Sequence, residues 1–576
     1  MPQKAVLSRL PLMDARYSAL SRGQVRTDAR ELAELYQALA KEENDPVTWE
    51  ALFSLACLTT AHPMEEAVSG RILNAMGKTE NGAFPVETDQ QLPAARAVLA
   101  VYEYTATREI LKRLAAWCRW LEADWDKVQN RRWVRVQSAD LMEFLVRFYR
   151  ITGLKAVLRL CAKLRSAAMD WTTILHSFQR RSILNRDEME PEAETLFSKE
   201  EYPEIDLFAT QYLAGHAELL ADGVRYTAFS AMYSGNGQEI TAGEKGWEYM
   251  KKYHTAACGG TTGDVFLAGS GTEKGIHPAA TAAWAEALTA QARLNANPRM
   301  MTDLVRLVYN ALADCLNQPG TACRVVNIQD AAGKVFCFDP EKDPARDTRI
   351  LARLARAAAL VWQNAIGVSA EGIQLNYLLP GRYMVSTGGE NAVLLAERDA
   401  LHIRCKQPVG MTLGVFCAGT ETAEIALQCG NGPEKPAENG EMTARGGGML
   451  RIRRTWDNLD TLVFHQKEKI YTEETHHRGL CIMIRNRVMA LNVQDAEYRY
   501  AACGAPFIRN GQAFVPVQRI ARWPAKDGIP TDIPVLPAGS GDVISAPLTP
   551  YAETPGRIAV FPVTASCGTA AAETHV

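Results

Sequence analysis

Hydrophobic positions recur every three or four residues over the first two thirds of the chain. Between about residues 28 and 364, segments such as ELAELYQALA, TWEALFSLACLTTA and ADLMEFLVRFYRITG show this spacing. It predicts amphipathic helices. Glycine and proline interrupt the pattern at short intervals, for example at Gly82, Pro85 and Gly153, which indicates short connecting loops. Many helices joined in this way favour paired helices wrapped into a toroid, with an open helical solenoid as the alternative.

After about Gly367 the hydrophobic period changes to two. Segments such as GIQLNYLLPGRYMV, ALHIRCKQPVGMTLGVFC and GLCIMIRNRVMALNVQ alternate apolar and polar residues between turn-forming ones. This pattern predicts an antiparallel β-sandwich, or two small ones. Two earlier segments are also predicted to be strands. KAVLSRLPL near the N-terminus would be an edge strand, and CRVVNI at 323–328 would begin a short hairpin. We therefore expect an N-terminal segment 1–27, a helical domain 28–365 and a β region 366–576.

Length, charge and cysteine content narrow the class of protein. A chain of 576 residues is too long for one hydrophobic core. With 63 basic and 66 acidic side chains the net charge is −3, which predicts neither a nucleic-acid nor a membrane partner. The start of the chain shows no signal-peptide core, so we expect a cytoplasmic protein. The 13 cysteines contain no CxxC pair, which argues against a local zinc site and favours reduced thiols.

Several short motifs occur in a fixed order along the chain. They are WEA at 49–51, LTTAHP at 58–63, ENGAF at 80–84, LVRFYRITG at 145–153, GHA at 215–217, DLVRLVYNALADC at 303–315, MLRIRRTWDNLDTL at 449–462 and GLCIMIRNRVMALNVQD at 479–495. Taken as an ordered series, they resemble the β-L-arabinofuranosidases of glycoside hydrolase family 127. The resemblance implies an (α/α)6 barrel followed by β-sandwich domains, a glycoside or oligosaccharide ligand, and a homodimer formed through the β region.

The segment CGGTTGDVFLAGSGTEKGIHPAATAAWAE at 258–286 resembles the active-site region of that family. In the family, a cysteine thiolate attacks the anomeric carbon and is held by zinc, which one glutamate and three cysteines bind. The glutamate and the first cysteine fall on Ala280 and Ala282 here. The later cysteine pair falls near residues 349–350, or, with a different gap, on the single Cys337. The resemblance therefore implies a member without the zinc site, and we expect no metal and no other cofactor.

The general acid of the family maps onto Asp264, in the turn Gly-Asp-Val-Phe at 263–266. A glycine-rich turn lets backbone approach a ligand closely, and a carboxyl group in a partly apolar pocket can donate a proton. The alternative is an aspartate that caps its own turn. Metal-free glycoside hydrolysis needs a second carboxylate. Glu273 is the predicted partner, with Asp339 and Glu341 as alternatives.

Further candidates would bind the substrate. The resemblance implies that His216 contacts a sugar hydroxyl, whereas the alternative is a core histidine at a helix start. His277 lies where the metal ligands would be and is predicted to make a polar contact. Tyr226, Phe266 and Trp284 lie in or beside these segments, and aromatic rings stack on sugars. Helical spacing also suits a core position for such residues.

The sequence thus predicts a cytoplasmic glycoside hydrolase that acts on small oligosaccharides by a metal-independent acid/base mechanism. The alternative is a catalytically inactive carbohydrate-binding relative, because the nucleophile and the metal ligands are replaced. A third hypothesis is a purely structural protein, which would neither bind nor hydrolyse a sugar. Fold resemblance contributes much to this ranking, and a fold alone does not dictate function.

Overall fold

The structure is a computed structural model. It describes residues 18–60, 65–77, 82–177, 216–261, 267, 276–295, 297–317, 324–325, 336–337, 344–369, 372–387, 390–416, 424–430, 432–436, 449–465, 469–474, 479–492, 500–519, 542–554, 557–561 and 563–564. The predicted edge strand KAVLSRLPL lies outside the described residues.

Helices occupy the first part of the described chain. Their bounds are α1 Arg30–Leu39, α2 Pro46–Leu58, α3 Glu65–Ala75, α4 Gln91–Thr105, α5 Arg108–Ala123, α6 Trp125–Val128, α7 Arg132–Arg135, α8 Ser138–Thr152, α9 Lys155–Ala167, α10 Trp171–His176, α11 Ala217–Ser234, α12 Gly237–His254, α13 Pro278–Asn295, α14 Pro298–Leu307, α15 Ala313–Asn317 and α16 Pro344–Ala365. A π-helical segment, Val308–Leu312, joins α14 to α15. The first strand of the β region begins at Ile366, next to the predicted change of period.

The helix ends follow local sequence chemistry. α2 begins with Pro46 in its first turn, and the Asp45 side chain accepts a hydrogen bond from the Val47 amide at 3.0 Å. Such a cap satisfies an amide that has no partner within the helix. α8 ends at Thr152 and is followed by Gly153, whose φ of 65° is left-handed, as is common after a helix C-terminus. The sequence therefore specifies where these helices begin and end.

Six of the described helices pack in cyclic order. α2 contacts α4, α4 contacts α8, α8 contacts α11, α11 contacts α13, α13 contacts α16, and α16 returns to contact α2. The other long helices pack against these six: α1 on α2 and α16, α3 on α2 and α4, α5 on α4, α9 on α8, α12 on α11 and α13, and α14 on α13. The side chains on the inner faces of α2, α4, α8, α11, α13 and α16 therefore face one another. We call these six the ring helices.

The described strands are short. Four of them, β1 to β4, come before the last helix, and all the others follow it. Their bounds are β1 Ser18–Ala19, β2 Val25–Arg26, β3 Arg324–Val325, β4 Phe336–Cys337, β5 Ile366–Ser369, β6 Gly372–Leu375, β7 Gly381–Thr387, β8 Glu390–Ala396, β9 Ala400–Cys405, β10 Val409–Phe416, β11 Glu424–Gln428, β12 Glu434–Pro436, β13 Met449–Trp456, β14 Thr461–His465, β15 Ile470–Glu474, β16 Leu480–Ile484, β17 Arg487–Asn492, β18 Tyr500–Ala502, β19 Phe507–Arg509, β20 Gln512–Arg519, β21 Ile544–Pro550, β22 Arg557–Ile558 and β23 Val560–Phe561. The β3–β4 pair is antiparallel, which agrees with the short hairpin expected from CRVVNI.

The remaining strands form three sheets. The first has the order β1-β5-β6-β10-β13, the second β12-β11-β14-β9-β8-β7-β2, and the third β15-β16-β17-β21-β20-β18 with β19, β22 and β23 attached. β1 and β2, near the N-terminus, thus lie at edges of the first and second sheets. One pair departs from the antiparallel prediction, because β6 and β10 run parallel. The chain between them forms β7, β8 and β9 of the second sheet, and such a crossover lets β10 return in the direction of β6.

One hydrophobic core runs from the helices into the first two sheets and reaches Cys481, Met483, Val488 and Ala490 of the third, whose other buried residues form a smaller cluster. Trp456 and Tyr383, from the first and second sheets, are fully buried in the larger core. The first sheet contacts the second through β10 with β8 and through β6 with β7. Within the described residues, no helix is both long and apolar enough to cross a bilayer.

Candidate functional site

Two predicted histidines lie at the N-terminal ends of adjacent ring helices. His216 caps α11, where its Nδ1 accepts a hydrogen bond from the Leu219 amide at 3.4 Å. His277 precedes α13, and its Nδ1 accepts from the Ala280 amide at 3.3 Å. Because α11 packs on α13, the two imidazoles mark one end of the ring. We call this end the mouth.

Glu218, in the first turn of α11, is a carboxylate of the mouth that the sequence analysis missed. Its side chain is 26% exposed, and it accepts a hydrogen bond from Arg353 of α16 at 2.5 Å. Burial favours the neutral acid, but the charge of Arg353 and those of His216 and His277 outweigh it and lower the pKa of Glu218 to about 2. Glu218 is therefore ionised at neutral pH and can stabilise positive charge on a ligand. Its only sequence signal is its place directly after the Gly-His-Ala motif.

The loop that carries Asp264 is anchored at the mouth. The His277 amide donates to the Thr261 carbonyl at 3.1 Å, and Thr261 also pairs with Thr255. The chain thus leaves at Thr261 and returns at His277, directly before α13. Asp264, Phe266 and Glu273 belong to the intervening segment 262–275, which apart from residue 267 lies outside the described residues. The alternatives Asp339 and Glu341 also lie outside them.

Two glycines hold the near end of this loop against α14 and the π-helical segment. Gly259 has a φ of +85°, and a Cβ built there would lie 3.0 Å from the Cα of Leu307. A Cβ on Gly260 would lie 2.9 Å from the Cβ of Ala311. Because backbone atoms of a packed helix cannot easily move, position 259 requires glycine, whereas Gly260 is closely packed against the side chains of Ile276 and Ala311. Gly259 and Gly260 therefore fix the described chain that leads to Thr261.

We expect Gly259→Ala to lower the free energy of unfolding by about 1–3 kcal/mol, because the new Cβ meets backbone and the left-handed φ becomes strained. Urea denaturation would measure the change. Gly237→Ala is the matched control, since Gly237 lies at the start of α12 with no atom within 4 Å of a built Cβ. Equal stability of the Gly259→Ala protein and the wild type would contradict this account.

Beneath the mouth, the ring helices share a buried network of ion pairs. Every ring helix contributes to it, and its members are Glu50, Arg96, Glu103, Asp140, Glu143, Arg147, Glu218, Asp222, Arg225, Glu286, Arg353 and Arg356, joined by Arg22 from the N-terminal region. The guanidinium group of Arg225 by itself contacts four carboxylates, with nitrogen-to-oxygen distances of 2.5–3.3 Å. Fully buried charges need such partners. The network therefore links the six ring helices through paired charges.

Two carboxylates of the network, Glu50 and Asp140, have lowered pKa values. Burial would raise the pKa of Glu50, but Arg96, Arg356 and Arg22 lower it to about 2. Likewise, nearby guanidinium groups hold the pKa of Asp140 well below its usual range despite burial. Because each carboxylate is matched by guanidinium groups, these residues stabilise the ring instead of offering a free acid or base.

Comparison with known proteins gives matches in structure only. No protein-family model matches the chain, and no curated protein matches its sequence. A solved structure named only as a glycoside hydrolase superposes with a TM-score of 0.65 at 12% identity, covering 97% of this chain and 99% of the other. A family 127 β-L-arabinofuranosidase from Geobacillus stearothermophilus T6 gives 0.60 at 14% identity, covering 92% and 94%. Another family 127 β-arabinofuranosidase gives 0.60 at 11%, covering 96% and 99%.

The chain has the fold of the family 127 β-L-arabinofuranosidases. The resemblance inferred from the ordered motifs is thereby confirmed at the level of the fold. Identities of 11–14% over nearly the whole length fit a divergent sequence on that fold. They transfer neither substrate nor activity, because a fold hosts many functions.

The family 127 resemblance implies zinc, and the residues here do not fit it. Ala280 and Ala282, at the positions of a glutamate and a cysteine ligand, are buried methyl side chains without a lone pair for a metal. Within the part of the chain that the structure describes, no three His, Cys, Asp or Glu side chains are grouped to hold a metal ion. Ala280 and Ala282 therefore cannot bind zinc in the way that the family's glutamate and cysteine do.

Two of the predicted aromatic contacts, Tyr226 and Trp284, are buried. Trp284 has no exposed surface, and its ring lies 4.8 Å from that of Trp247. Tyr226 is 5% exposed, and burial raises its pKa. Phe266 lies outside the described residues. Tyr226 and Trp284 thus pack between helices, and neither offers a face to a sugar in the described structure.

Proposed function

We propose that the protein is a glycoside hydrolase whose active site lies at the mouth, and that it cleaves small oligosaccharides without a metal. In this proposal the ring helices form the inner layer of an (α/α)6 barrel, and the first two sheets form a β-sandwich. One observation supports this proposal most: ionised Glu218 lies close to His216 and His277. The chain segment that contains Asp264 begins and ends beside His277. Solved structures with the same fold, named as glycoside hydrolases, support the reaction class.

Chain length keeps Asp264 near the mouth. It lies three residues after Thr261, so their Cα atoms are at most ~11 Å apart. Glu273 lies four residues before His277, which limits that separation to ~14 Å. Both carboxylates are therefore tethered to the ends of the ring helices that carry His216, Glu218 and His277.

The proposed reaction divides the work among three carboxyl groups. Asp264 donates a proton to the glycosidic oxygen as the bond between that oxygen and the anomeric carbon breaks. Glu273 accepts a proton from a water molecule as the water oxygen bonds to the anomeric carbon. Glu218 is a poor base because its pKa is about 2, but its fixed charge stabilises the positive charge that develops on the sugar ring. His216 and His277 bind sugar hydroxyls.

A second candidate is a carbohydrate-binding protein without turnover. The specific observation that favours it is the pair Ala280 and Ala282, which removes ligands from the metal-held nucleophile of the family. In that case His216 and His277 would bind a sugar that no group attacks. The two candidates differ in one measurable property, because only the first releases product.

The test is release of reducing sugar from a broad oligosaccharide panel by wild type, Asp264→Asn and Glu218→Gln, with and without a chelator. We expect wild-type release that resists the chelator, and turnover reduced by about 10²–10⁴-fold in Asp264→Asn. Glu218→Gln is expected to lower turnover as well, because the stabilising charge is lost. Asp126→Asn, at an exposed position of α6, is the control and should retain full activity.

Two results would contradict the hydrolase proposal. Full activity of Asp264→Asn would remove the acid from the mechanism, and chelator-sensitive release would show that a metal takes part. Saturable sugar binding in calorimetry without any product would establish the binding protein instead. Neither binding nor turnover across the panel would leave the structural hypothesis.

A further inference from the structure

A short turn after α12 leads to the mouth. We call its residues, 255–261, the approach segment. The Ala256 amide donates to the Gly260 carbonyl at 2.8 Å, which closes the turn. The last residue, Thr261, accepts a hydrogen bond from the His277 amide at 3.1 Å. The position of His277 at the mouth therefore depends on where the approach segment lies.

The end of α14 and the π-helical segment hold the approach segment in place. The Nε atom of Arg306 donates to the Ala257 carbonyl at 2.7 Å, and the Ala311 amide donates to the Cys258 carbonyl at 3.4 Å. Gly260 also lies against the Ala311 side chain. Hydrogen bonds from an ionised donor are among the stronger ones in proteins. Arg306 thus supplies a charge-assisted hydrogen bond to the turn that precedes the mouth.

The third sheet contacts the same stretch of helix. The Nη1 atom of Arg306 donates to Glu473 of β15 at 2.7 Å. Four residues later, the side chain of Asn310 donates to the Asn486 carbonyl and accepts from the Val488 amide, each at 2.8 Å. Asn310 is 1% exposed, and leaving such buried groups without partners would be costly. The helix that holds the approach segment is therefore anchored to the third sheet.

Arg306 joins the two sets of contacts in a single side chain. One nitrogen of its guanidinium group binds the Ala257 carbonyl and another binds Glu473. The planar group keeps these donors in a fixed relative geometry. The π-helical segment that follows belongs to a rare class of turn that frequently occurs at functional sites. Movement of the approach segment away from the third sheet would therefore break a hydrogen bond of Arg306.

We propose that Arg306 is a positioning residue of the mouth. Through the approach segment it holds His277 where the imidazole binds a sugar hydroxyl, and Asn310 secures the same helix to the third sheet. The third sheet thereby supports a substrate site at the ends of the ring helices. The effect on turnover rests on the proposed function, whereas the attachment of the approach segment is measurable without a substrate.

Hydrogen exchange of the full-length protein, followed by mass spectrometry of its peptides, tests the attachment. Arg306→Met keeps much of the side-chain volume but removes the donors to the Ala257 carbonyl and to Glu473. We expect the amides of the approach segment and of His277 to exchange about tenfold faster than in wild type, because a charge-assisted hydrogen bond no longer holds the turn to the helix.

Arg487→Met is the matched control for this measurement. Arg487 of β17 also pairs with a half-exposed glutamate, since the Glu553 side chain is 56% exposed and that of Glu473 is 51% exposed. Loss of the Arg487 pair leaves both contacts of Arg306 in place. The approach segment of Arg487→Met should therefore exchange at the wild-type rate.

The effect on the mouth is measured as kcat/KM for the oligosaccharide of the panel from which wild type releases product. We expect a loss of about tenfold in Arg306→Met, mainly as a raised KM, because a displaced His277 binds the substrate less well. His277→Asn is the decisive comparison, since asparagine keeps an N-cap acceptor but not the imidazole. If Arg306 acts through His277, the double variant should lose no more than His277→Asn alone.

The outcomes separate this inference from the hydrolase proposal. Unchanged exchange of the approach segment in Arg306→Met, equal acceleration in Arg487→Met, or losses in kcat/KM that multiply in the double variant would each overturn it. Without turnover in wild type the hydrolase proposal fails, and the exchange rates alone decide whether Arg306 positions the approach segment. If Arg306→Met does not fold, Arg306→Lys takes its place, because one ammonium group cannot reproduce the two fixed donors. Exchange at the wild-type rate in that variant would equally overturn the inference.

Discussion

Arg353→Met is expected to lower the free energy of unfolding by about 3–5 kcal/mol, the usual cost of removing one partner from a buried ion pair. Arg353 donates to Glu218 and Asp222 at 2.5 Å each and to Glu286 at 3.1 Å. Methionine fills a similar volume but leaves these carboxylates without their shared cation. Their mutual repulsion and burial would then destabilise the packing of α11, α13 and α16.

Urea denaturation at pH 7 measures this change. Arg159→Met is the matched control, because Arg159 also makes a two-pronged contact with one glutamate, Glu122, but its side chain is 61% exposed. Loss of an exposed pair should cost no more than about 1 kcal/mol. Similar losses in both variants would show that the ring network is not a distinct stabilising feature. If Arg353→Met does not fold, Arg353→Lys, which retains the charge, should restore a measurable part of the stability.

The sequence was sufficient to locate the change from helices to strands. Helical spacing ends and strand alternation begins near residue 366 because side chains on a helix and on a strand repeat with different periods. The same pattern could not show that β6 and β10 run parallel. That pairing depends on where the chain returns after forming β7, β8 and β9, which is a tertiary property.

The buried network could not be foreseen from hydrophobic periodicity. A charged residue such as Glu50 or Arg225 on an apolar helix normally indicates a solvated face. Here both lie at the centre of the ring, because partners on other ring helices compensate them. The sequence does show charged residues within otherwise apolar helices, but a single sequence does not show which of them form ion pairs with each other.

The mouth was predicted in part. His216 and His277 were selected from a motif resemblance and from the neighbourhood of the missing ligands, and the structure places both at ends of packed helices. Glu218 was overlooked because the resemblance assigns it no role. Tyr226 and Trp284 lie in the same segments, yet they are buried between helices. Spacing along a helix does not distinguish a residue that faces a pocket from one that faces another helix.

Stability is expected to fall steeply in acid because three carboxylates of the network, Glu50, Asp140 and Glu218, have lowered pKa values. The pKa values of Glu50 and Glu218 are each about 2, against an ordinary value of 4.5. A group whose pKa is lowered in the folded state stabilises the protein above its unfolded pKa, and this stabilisation is lost as pH falls through the folded value. Each group then contributes up to ~3 kcal/mol at neutral pH, and Glu218 contributes less because it is partly exposed.

Urea denaturation at pH 7, 5, 4 and 3 would measure this loss. The free energy of unfolding should change little between pH 7 and 5 and should fall by several kcal/mol towards pH 2–3, because the unfolded chain then binds protons that the folded network excludes. Glu50→Gln supplies the internal control. It should be less stable than wild type at pH 7, because Arg96 and Arg22 lose a charged partner, and its stability should decline less between pH 5 and 3. An equal decline in both proteins would mean that Glu50 is not held ionised by the ring, and the acid sensitivity would then have to arise outside it.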